Sequence, residues 1–257
     1  MGSILLFLGL GALAPRVQPA VSARDSLTDV ATGGLLYLVR LLIMAAVGWV
    51  LTVLPGGWIP LEALAHPALQ LLVVFLMLDF ARYWMHRASH RVGFLWTFHR
   101  THHSGELITS TTGLRMHVVD IFLLTMIPVV LFQFLFDISS FGEWVLPVAL
   151  MIGGFFDAFE HANLRVNSQT PWFKAWNTVF NNPHFHAWHH TRDGHIKDGN
   201  YGQALTIWDR LFGSDVTEDE PPERYGLGHQ WLELTVLGLQ LLRPREVPPD
   251  HSPYEKH

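Results

Sequence analysis

The chain has 257 residues, long enough for one large domain; 49% of them are hydrophobic and 15% are charged, a balance typical of a membrane protein rather than of a soluble enzyme. The formal net charge of −5 gives no indication of nucleic-acid binding, and the lack of cysteine excludes disulfides, iron–sulfur clusters and thiolate ligands. Any bound metal must therefore be held by His, Asp, Glu or backbone oxygen.

Apolar stretches, taken in chain order, predict helices that enter or cross a membrane. Met1–Leu13 is apolar but short and lacks a basic leader, which favours a short first membrane segment over a signal peptide. Four longer stretches approach the length of a bilayer span: Leu35–Leu54, Ala68–Trp84, Val118–Phe136 and Trp144–Phe159. The turn Asp137–Glu143 is too short for a domain, so the last two stretches form a helical hairpin. The predicted fold class is all-α, with about four spans.

Charged residues within these stretches are costly where they contact lipid, and three of them lie in the first two long stretches. Arg40 either extends its side chain to the interface or pairs inside the bundle. Asp79 and Arg82 lie about one turn apart, and the favoured interpretation is a mutual ion pair near the interface. The alternative is a contact from one of them to a metal-ligating imidazole.

The distribution of arginine and lysine predicts an orientation in the membrane. The connection Pro55–Pro67 and the turn Asp137–Glu143 contain neither residue, whereas Arg82–Arg115 and the chain after Arg165 are rich in arginine. By the positive-inside rule, the arginine-rich segments face the cytoplasm. The last part of the chain holds Trp231–Leu242, predicted to be an amphipathic helix in the interface or a helix packed on the cytoplasmic part, and a disordered tail at 244–257.

Eight of the sixteen histidines form three clusters where apolar stretches end. Offsets of three and four residues place side chains on one helix face, so each cluster can direct its imidazoles at a common point. The clusters read His86-x-x-x-His90, His99-x-x-His102-His103 and His186-x-x-His189-His190. The orientation derived from charge puts all three on the same side of the membrane, which a shared site requires.

Neutral imidazole is a good ligand for iron, zinc and copper, and eight imidazoles are twice the number that a structural zinc site needs. The count therefore favours two metal ions, and iron is the metal suited to activating dioxygen at a membrane surface. The protease motif His-Glu-x-x-His is absent, which argues against hydrolysis by that route. A non-redox zinc protein or hydrolase stays open as the alternative.

A set of ordered motifs between Ala81 and Gly213 resembles the fatty-acid hydroxylase/sterol desaturase superfamily of integral-membrane di-iron oxygenases. The motifs are His86-Arg-Ala-Ser-His90, Phe98-His-Arg-Thr-His-His-Ser104, Thr111-Thr-Gly-Leu-Arg-Met-His117, His161-Ala-Asn163, His186-Ala-Trp-His-His190, Asn200-Tyr-Gly202 and Ile207-Trp-Asp-Arg-Leu-Phe-Gly213. The stretches around Thr111–Arg115 and Asn200–Gly213 are similar to the branch that contains alkylglycerol monooxygenase and bacterial sterol-desaturase-like proteins.

The resemblance implies one membrane domain over 1–257, with helical spans capped by a cytoplasmic helical metal-binding part formed from 82–117 and 161–215. It implies two iron ions, with zinc able to replace them in vitro, and hydroxylation or desaturation of a lipid by O2 and two external electrons. A separate donor of the ferredoxin or cytochrome b5 kind would supply those electrons, because the chain has no haem-attachment or flavin motif. The implied ligands are His86, His90, His99, His102, His103, His186, His189, His190 and, as a further histidine, His161.

Four more residues are candidates at the edge of this set, and their roles stay open. Asp157 ligates a metal, orients His161 or caps the span. His117 ligates or lines the site, because Val118 stands where the similar family motif has proline. His184 is an alternative partner in the third cluster with a role near the substrate or behind a ligand, and Asp209 is a candidate acceptor for a ligand imidazole N–H.

Overall fold

Helices supply the regular secondary structure in the part of the chain that the structure describes, where the only β pairing consists of isolated bridges. The structure is a computed structural model that describes residues 1–16, 23–54, 57, 59, 66–136, 142–192, 198–216, 218–227 and 235–243. The all-α fold class is confirmed. The helices are α1 (Gly2–Leu13), α2 (Ala23–Val53), α3 (Pro67–Arg91), α4 (Gly93–His99), α5 (Val118–Leu135), α6 (Val145–Glu160), α7 (Pro171–Asn177), α8 (Pro183–His189), α9 (Ile207–Leu211) and α10 (Val236–Gln240), with 3₁₀ turns at His102–Ser104 and Thr112–Leu114.

Helix starts follow from local side-chain chemistry. Proline occupies the first turn of α3 and of α8, where its missing N–H costs nothing. The Asn182 side chain accepts hydrogen bonds from the His184 and Phe185 N–H groups and so caps α8. His66 and His117 do the same at the starts of α3 and α5, each accepting from the N–H two residues later. Both of these histidines therefore have a local structural role.

Four long helices, α2, α3, α5 and α6, pack into a bundle around one apolar core. The start of α2 and the segment before α5 are tied together by Arg115, whose fully buried guanidinium bonds Asp25 at 2.7 Å and Asp29 at 2.5 Å. The ends of α3 and α6 carry clustered histidines, and Asp120 at the start of α5 contacts His99. One end of the bundle therefore collects the clustered histidines and the carboxylates that contact them; we call it the histidine side.

Three of the described helices are long and apolar enough to cross a membrane: Asp25–Val50 within α2, α3 (Pro67–Arg91) and α5 (Val118–Leu135). Helix α6 has 16 residues, a rise of about 24 Å that is short of the ~30 Å hydrocarbon core. The predicted fourth span is thus helical, but the count of four stays a prediction. Helix α1 has 12 residues, too few to span, and packs on α6 through Phe7.

The predicted ion pair between Asp79 and Arg82 is wrong. Asp79 accepts hydrogen bonds from the Ala204 and Leu205 N–H groups at 3.0 and 3.2 Å and from Trp208 Nε1 at 2.9 Å. Arg82 instead donates to Gln203 Oε1 at 2.9 Å. Among the described residues neither forms an ion pair with the other or a hydrogen bond to an imidazole. Two backbone N–H donors from the loop before α9 and the Trp208 indole N–H of α9 satisfy the carboxylate, so it fixes this segment on α3.

The described part of Trp231–Leu242 forms α10, which packs on the histidine side rather than lying free. Leu239 is fully buried with Leu227, and Gln240 bonds the backbone at Met116 and Val118. This favours the predicted helix on the metal-binding part over an interfacial one. Residues 231–234, the tail 244–257, the turn 137–141, His195, His229, His251 and His257 lie outside the described residues.

Candidate metal centre

Nine histidines from five short stretches of chain converge on the histidine side of the bundle. Helix α3 contributes two, the end of α4 one, the following 3₁₀ turn two, the residue after α6 one, and α8 with its C-cap three. They divide into two groups in which the nitrogen atoms offered by the members all lie within 4.8 Å of one another. The five-histidine group is His86, His90, His99, His103 and His189, and the four-histidine group is His102, His161, His186 and His190.

The two groups lie side by side. The ring of His103 in the five-histidine group stacks on that of His190 in the four-histidine group, with centroids 4.3 Å apart. His186 and His189, one from each group, stack at 5.0 Å. Chain neighbours such as His189 and His190 point into different groups, so the second and third clusters in the sequence each serve both groups, whereas His86 and His90 of the first cluster serve one.

In the four-histidine group the Nε2 atoms face one another at contact distance. His161 Nε2 lies 3.1 Å from His102 Nε2 and 3.0 Å from His186 Nε2, which lies 3.0 Å from His190 Nε2. In the five-histidine group, His103 Nε2 and His189 Nε2 are 3.2 Å apart. Metal–imidazole bonds of ~2.0–2.1 Å place neighbouring nitrogens roughly 3 Å apart around one ion. The observed spacing is that of ligands sharing a metal.

The hydrogen bonds made by Nδ1 leave the Nε2 atoms free of protons. Nδ1 of His86 donates to the Tyr201 carbonyl at 2.8 Å, Nδ1 of His161 to that of Asp157 at 2.6 Å, and Nδ1 of His189 to that of Gly199 at 2.9 Å. A carbonyl only accepts, so the proton sits on Nδ1 and Nε2 presents a lone pair. Lone pairs held this close repel each other unless a cation lies between them, which fits a metal-ligating donor set.

Buried imidazole nitrogen atoms without hydrogen-bond partners also indicate a bound metal ion. His86, His90 and His99 each have a buried Nε2 without a hydrogen-bond partner within the described chain. Buried polar atoms are nearly always satisfied in native proteins. Three such atoms in one group of five are explained by a bound ion that each of them would ligate.

Burial disfavours the protonated form of five of the nine imidazoles. It lowers the pKa of His102, His103, His186 and His190 well below the usual value, and that of His189 to about 3. Neighbouring imidazoles lower the pKa further, because a proton on one ring would place a positive charge beside the others. Neutral imidazole is the form that binds metal.

Two carboxylates, those of Asp157 and Glu160, lie beside rings of the four-histidine group. Glu160 was not predicted from the sequence. Its buried carboxylate lies 3.6 Å from His186 Nδ1 and 3.8 Å from His161 Nδ1, and it accepts a hydrogen bond from Asn181 Nδ2. Asp120 has the matching place in the other group, accepting from His99 Nδ1 at 2.9 Å. An acidic residue directly before His161 at the end of an apolar stretch is the signal that could have identified Glu160.

Asp209 was predicted to accept a hydrogen bond from a ligand imidazole, but in the structure it bonds the backbone that orients one. Its carboxylate accepts hydrogen bonds from the Tyr201 and Gly202 N–H groups, both at 2.8 Å, and from Ser214; burial raises its pKa to about 6. It makes no hydrogen bond to an imidazole within the described residues. It holds the backbone whose Tyr201 carbonyl orients His86.

Three other candidates are placed as follows. Asp157 lies beside His161, with Oδ1 3.8 Å from Nδ1, and with Glu160 and His161 forms a further group able to hold a metal; Gly113 faces its carboxylate, where a Cβ would clash. His117 and His184 lie outside both groups. His117 bonds the Gln240 carbonyl through Nε2 and caps α5 through Nδ1, whereas His184 bonds the Glu218 carbonyl.

A cavity of about 350 Å³ extends from the histidines into the bundle. Its histidine end is lined by His86 and His99 of one group and by His102, His161 and His186 of the other. Its walls are mainly apolar side chains of α2, α5 and α6, including Met44, Leu124 and Leu150, with Arg40 and Arg82 as the cationic members. The cavity has the size of a small-molecule site and suits a chain of methylene groups.

Comparison with known proteins gives a consistent result. Residues 71–214 match the family model described as fatty acid hydroxylase, and this stretch contains all nine histidines. Alkylglycerol monooxygenase of Xenopus tropicalis is 34% identical over 158 residues, covering 61% of this chain and 32% of that protein.

Two further relatives have other names. Ornithine lipid hydroxylase of Rhizobium tropici is 32% identical, covering 57% of this chain and 42% of its own, and lathosterol oxidase of Rattus norvegicus is 27% identical, covering 62% and 47%. The chain therefore spans less than half the length of each of these relatives. No solved structure gives a significant match.

Proposed function

The chain belongs to the fatty acid hydroxylase family, and on that premise we propose that it is an O2-dependent lipid hydroxylase or desaturase with one metal ion in each histidine group. It is an integral membrane protein, with three helices able to span the bilayer. The balanced overall reaction for hydroxylation is RH + O2 + 2 e⁻ + 2 H⁺ → ROH + H2O, with electrons from a separate donor of the ferredoxin or cytochrome b5 kind.

One observation carries the proposal: two adjacent groups of neutral imidazoles lie at the end of an apolar cavity inside a membrane bundle. Iron bound in both groups would supply the activation of O2 that attack on an unactivated C–H bond requires. The all-imidazole donor set suits iron, zinc or copper and not magnesium or calcium.

The chain's own residues would hold the metal ions, orient the ligand rings and shield the reacting carbon from water. His86, His99 and His161 present unprotonated Nε2 atoms because their Nδ1 protons are donated to fixed oxygen acceptors. The apolar walls hold the substrate chain beside the histidines and exclude water from the reacting carbon. The names of the relatives and the apolar cavity support a lipid as the substrate. A sterol, a fatty acyl chain, an alkylglycerol ether and a carotenoid all fit the chemistry of the cavity.

The histidine side is proposed to face the cytoplasm. Arg87, Arg91, Arg100 and Arg115 lie at that end of the bundle or in the segment that follows it, and the positive-inside rule places such segments on the cytoplasmic side. A soluble electron donor would then reach the centre directly. Labelling of the Arg91→Cys variant with a membrane-impermeant thiol reagent in inverted and right-side-out vesicles measures this. Labelling in right-side-out vesicles but not in inverted ones would contradict the proposed orientation.

The second candidate function is a non-redox zinc protein, which the same imidazole set could hold. Lipid analysis of cells that express the chain separates the two. Wild type is expected to give an O2- and iron-dependent hydroxylated or desaturated lipid, and His102→Ala is expected to give none. The matched control is His66→Asn, which changes an exposed histidine outside both groups and keeps a capping side chain.

Unchanged lipids in cells that contain folded, iron-loaded wild-type protein and a competent electron donor would contradict the oxygenase. Normal lipid oxidation by the His102→Ala variant would contradict the ligand assignment. Activity that survives replacement of iron by zinc would favour the second candidate.

A further inference from the structure

Arg40 lies on the inward face of α2, in the middle of a membrane span. Leu36, Ile43 and Val47 are buried to 1%, 5% and 2% exposure and lie four before, three after and seven after Arg40, on one helix face. Leu38, Leu41 and Leu42 are exposed on the opposite, lipid-facing side. The guanidinium therefore points into the bundle, where it lines the cavity, and the predicted route along the lipid face to the interface does not apply.

Arg40 has no hydrogen bond and no ion pair with any residue that the structure describes. The other two inward arginines are compensated. Arg82 donates to Gln203 and shares its end of the cavity with Asp157 and Glu160, and Arg115 bonds two aspartates. A cation within a membrane span is costly unless it is paired, and such residues mark binding sites. Asp157 and Glu160 line the same cavity, but they lie beside the ring of His161, and neither forms an ion pair with Arg40. Arg40 is thus a cavity-lining cation that no described carboxylate pairs with.

The surroundings of Arg40 indicate which kind of ligand would pair with its guanidinium. Met44, Leu124 and Leu150 provide apolar walls in the same cavity, and the histidines of both groups close its other end. A second, small pocket of about 10 Å³ shares Met44, Leu124 and Leu150 with this cavity and is also lined by Arg82. Among the charged residues that line the cavity, Arg40 is the one without an ion-pair or hydrogen-bond partner in the described chain. With the apolar walls beside it, this cation matches an amphiphile with one anionic group. Guanidinium binds carboxylate and phosphate through paired N–H···O bonds.

We propose that Arg40 is the specificity-determining residue that binds the anionic group of the lipid substrate, a carboxylate or a phosphate, inside the membrane bundle. The inference rests on the proposed function, because it names the substrate class of that same cavity. It selects among the lipids that the cavity chemistry permits: anionic amphiphiles are favoured over sterols, carotenoids and neutral ethers.

Equilibrium binding tests this without turnover. The ligands are oleate, 1-oleoyl-lysophosphatidate and oleyl alcohol, which share a hydrocarbon chain and differ in the head group. The purified protein is held in phosphatidylcholine nanodiscs, with metal loaded and with metal removed. Wild type is expected to bind at least one of the two anionic ligands about tenfold or more tighter than the alcohol, and comparing the two anions distinguishes a carboxylate from a phosphate.

The variants make the test specific. Arg40→Gln is expected to reduce the preference for the anion to about twofold or less while alcohol binding stays unchanged, and Arg40→Lys to keep part of it, because the charge remains without the paired N–H geometry. Arg165→Gln, which removes an exposed arginine beyond α6, is expected to bind as wild type. Thermal midpoint and metal content report whether Arg40→Gln is folded.

Two results would overturn the proposal: equal binding of all three amphiphiles by wild type, or an unchanged anion preference in folded Arg40→Gln protein. The proposed function fails separately. Protein that prefers anions but holds no iron and oxidises no lipid keeps the Arg40 site and loses the oxygenase, whereas iron-loaded, active protein without an anion preference does the opposite.

Discussion

The two histidine groups use the same side chain but are oriented by different parts of the molecule. In the five-histidine group, His86 and His189 donate to the carbonyls of Tyr201 and Gly199, on a loop that Asp209 and Asn200 brace. In the four-histidine group, the end of α6 carries both the Asp157 carbonyl and the Glu160 carboxylate. One group thus depends on a loop and the other on a helix end.

The difference also concerns charge. The described surroundings of the five-histidine group provide one carboxylate within hydrogen-bond distance of a ring, Asp120. Around the four-histidine group, two carboxylates lie within 3.8 Å of Nδ1 atoms. Carboxylates offset the charge of a bound cation and raise the basicity of the imidazole they contact. We therefore expect the four-histidine group to bind its metal more tightly than the five-histidine group.

The largest expected effect comes from ligand removal in chain neighbours that serve different groups. His189→Ala and His190→Ala should each reduce lipid oxidation by about 100-fold or more, because loss of a ligand exceeds the 10–100-fold typical of residues behind ligands. His189→Ala should lose the more weakly held metal ion first. Iron content and oxygen consumption measure this. Equal activity in wild type and either variant would contradict the division into two groups.

Lowering the pH tests a property that the two groups share, namely buried imidazoles that stay neutral in the folded protein. Histidines in the unfolded chain take up protons near pH 6.5, whereas burial lowers the pKa of His102, His103, His186 and His190, and lowers that of His189 to about 3. The unfolded state then binds more protons, so the free energy of unfolding is fully present above pH 6.5. It falls below that by about 1.4 kcal/mol per pH unit per histidine.

Denaturant titrations of the metal-free protein between about pH 7.5 and 5 measure this slope. The His189→Ala variant should show a shallower slope than wild type because one buried imidazole is missing. Stability that stays level across this range would contradict the neutral, buried state of the rings.

A smaller effect is expected from the carboxylates that hold the rings. Glu160→Gln keeps an acceptor for Asn181 but removes the negative charge, and should weaken the metal affinity of the four-histidine group by about 10–100-fold. Asp120→Asn should do the same to the five-histidine group alone. Cobalt titration followed by visible absorption measures both. If each variant weakened both sites equally, the two groups would not be oriented independently.

The smallest effect is expected at a histidine just outside the groups. His117→Asn preserves a side chain able to cap α5 and should leave metal content unchanged, with stability within about 1 kcal/mol of wild type. Metal analysis and thermal unfolding check this, with His103→Ala as the positive comparison. Loss of one metal ion from His117→Asn would extend the ligand set beyond the nine.

The contrast between local and distant contacts explains what the sequence could predict. The three clusters and the all-α class could be predicted from local patterns, but His86 and His90 form the only cluster whose members all lie in one group. The partners of Asp79 lie 125 residues or more away, and spacing along α3 suggested Arg82 instead. The division of the second and third clusters between two groups, and the role of Glu160, depend on how α3, α6 and α8 meet, which no local sequence pattern indicates.

Iron stoichiometry tests the central claim most directly. Protein purified after iron-replete expression is compared by metal analysis and Mössbauer spectroscopy, with His189→Ala and Glu160→Gln alongside. Two adjacent histidine groups predict about two iron ions per chain in wild type, in two spectroscopically distinct sites. One iron or none in folded, active wild-type protein would contradict a two-metal centre.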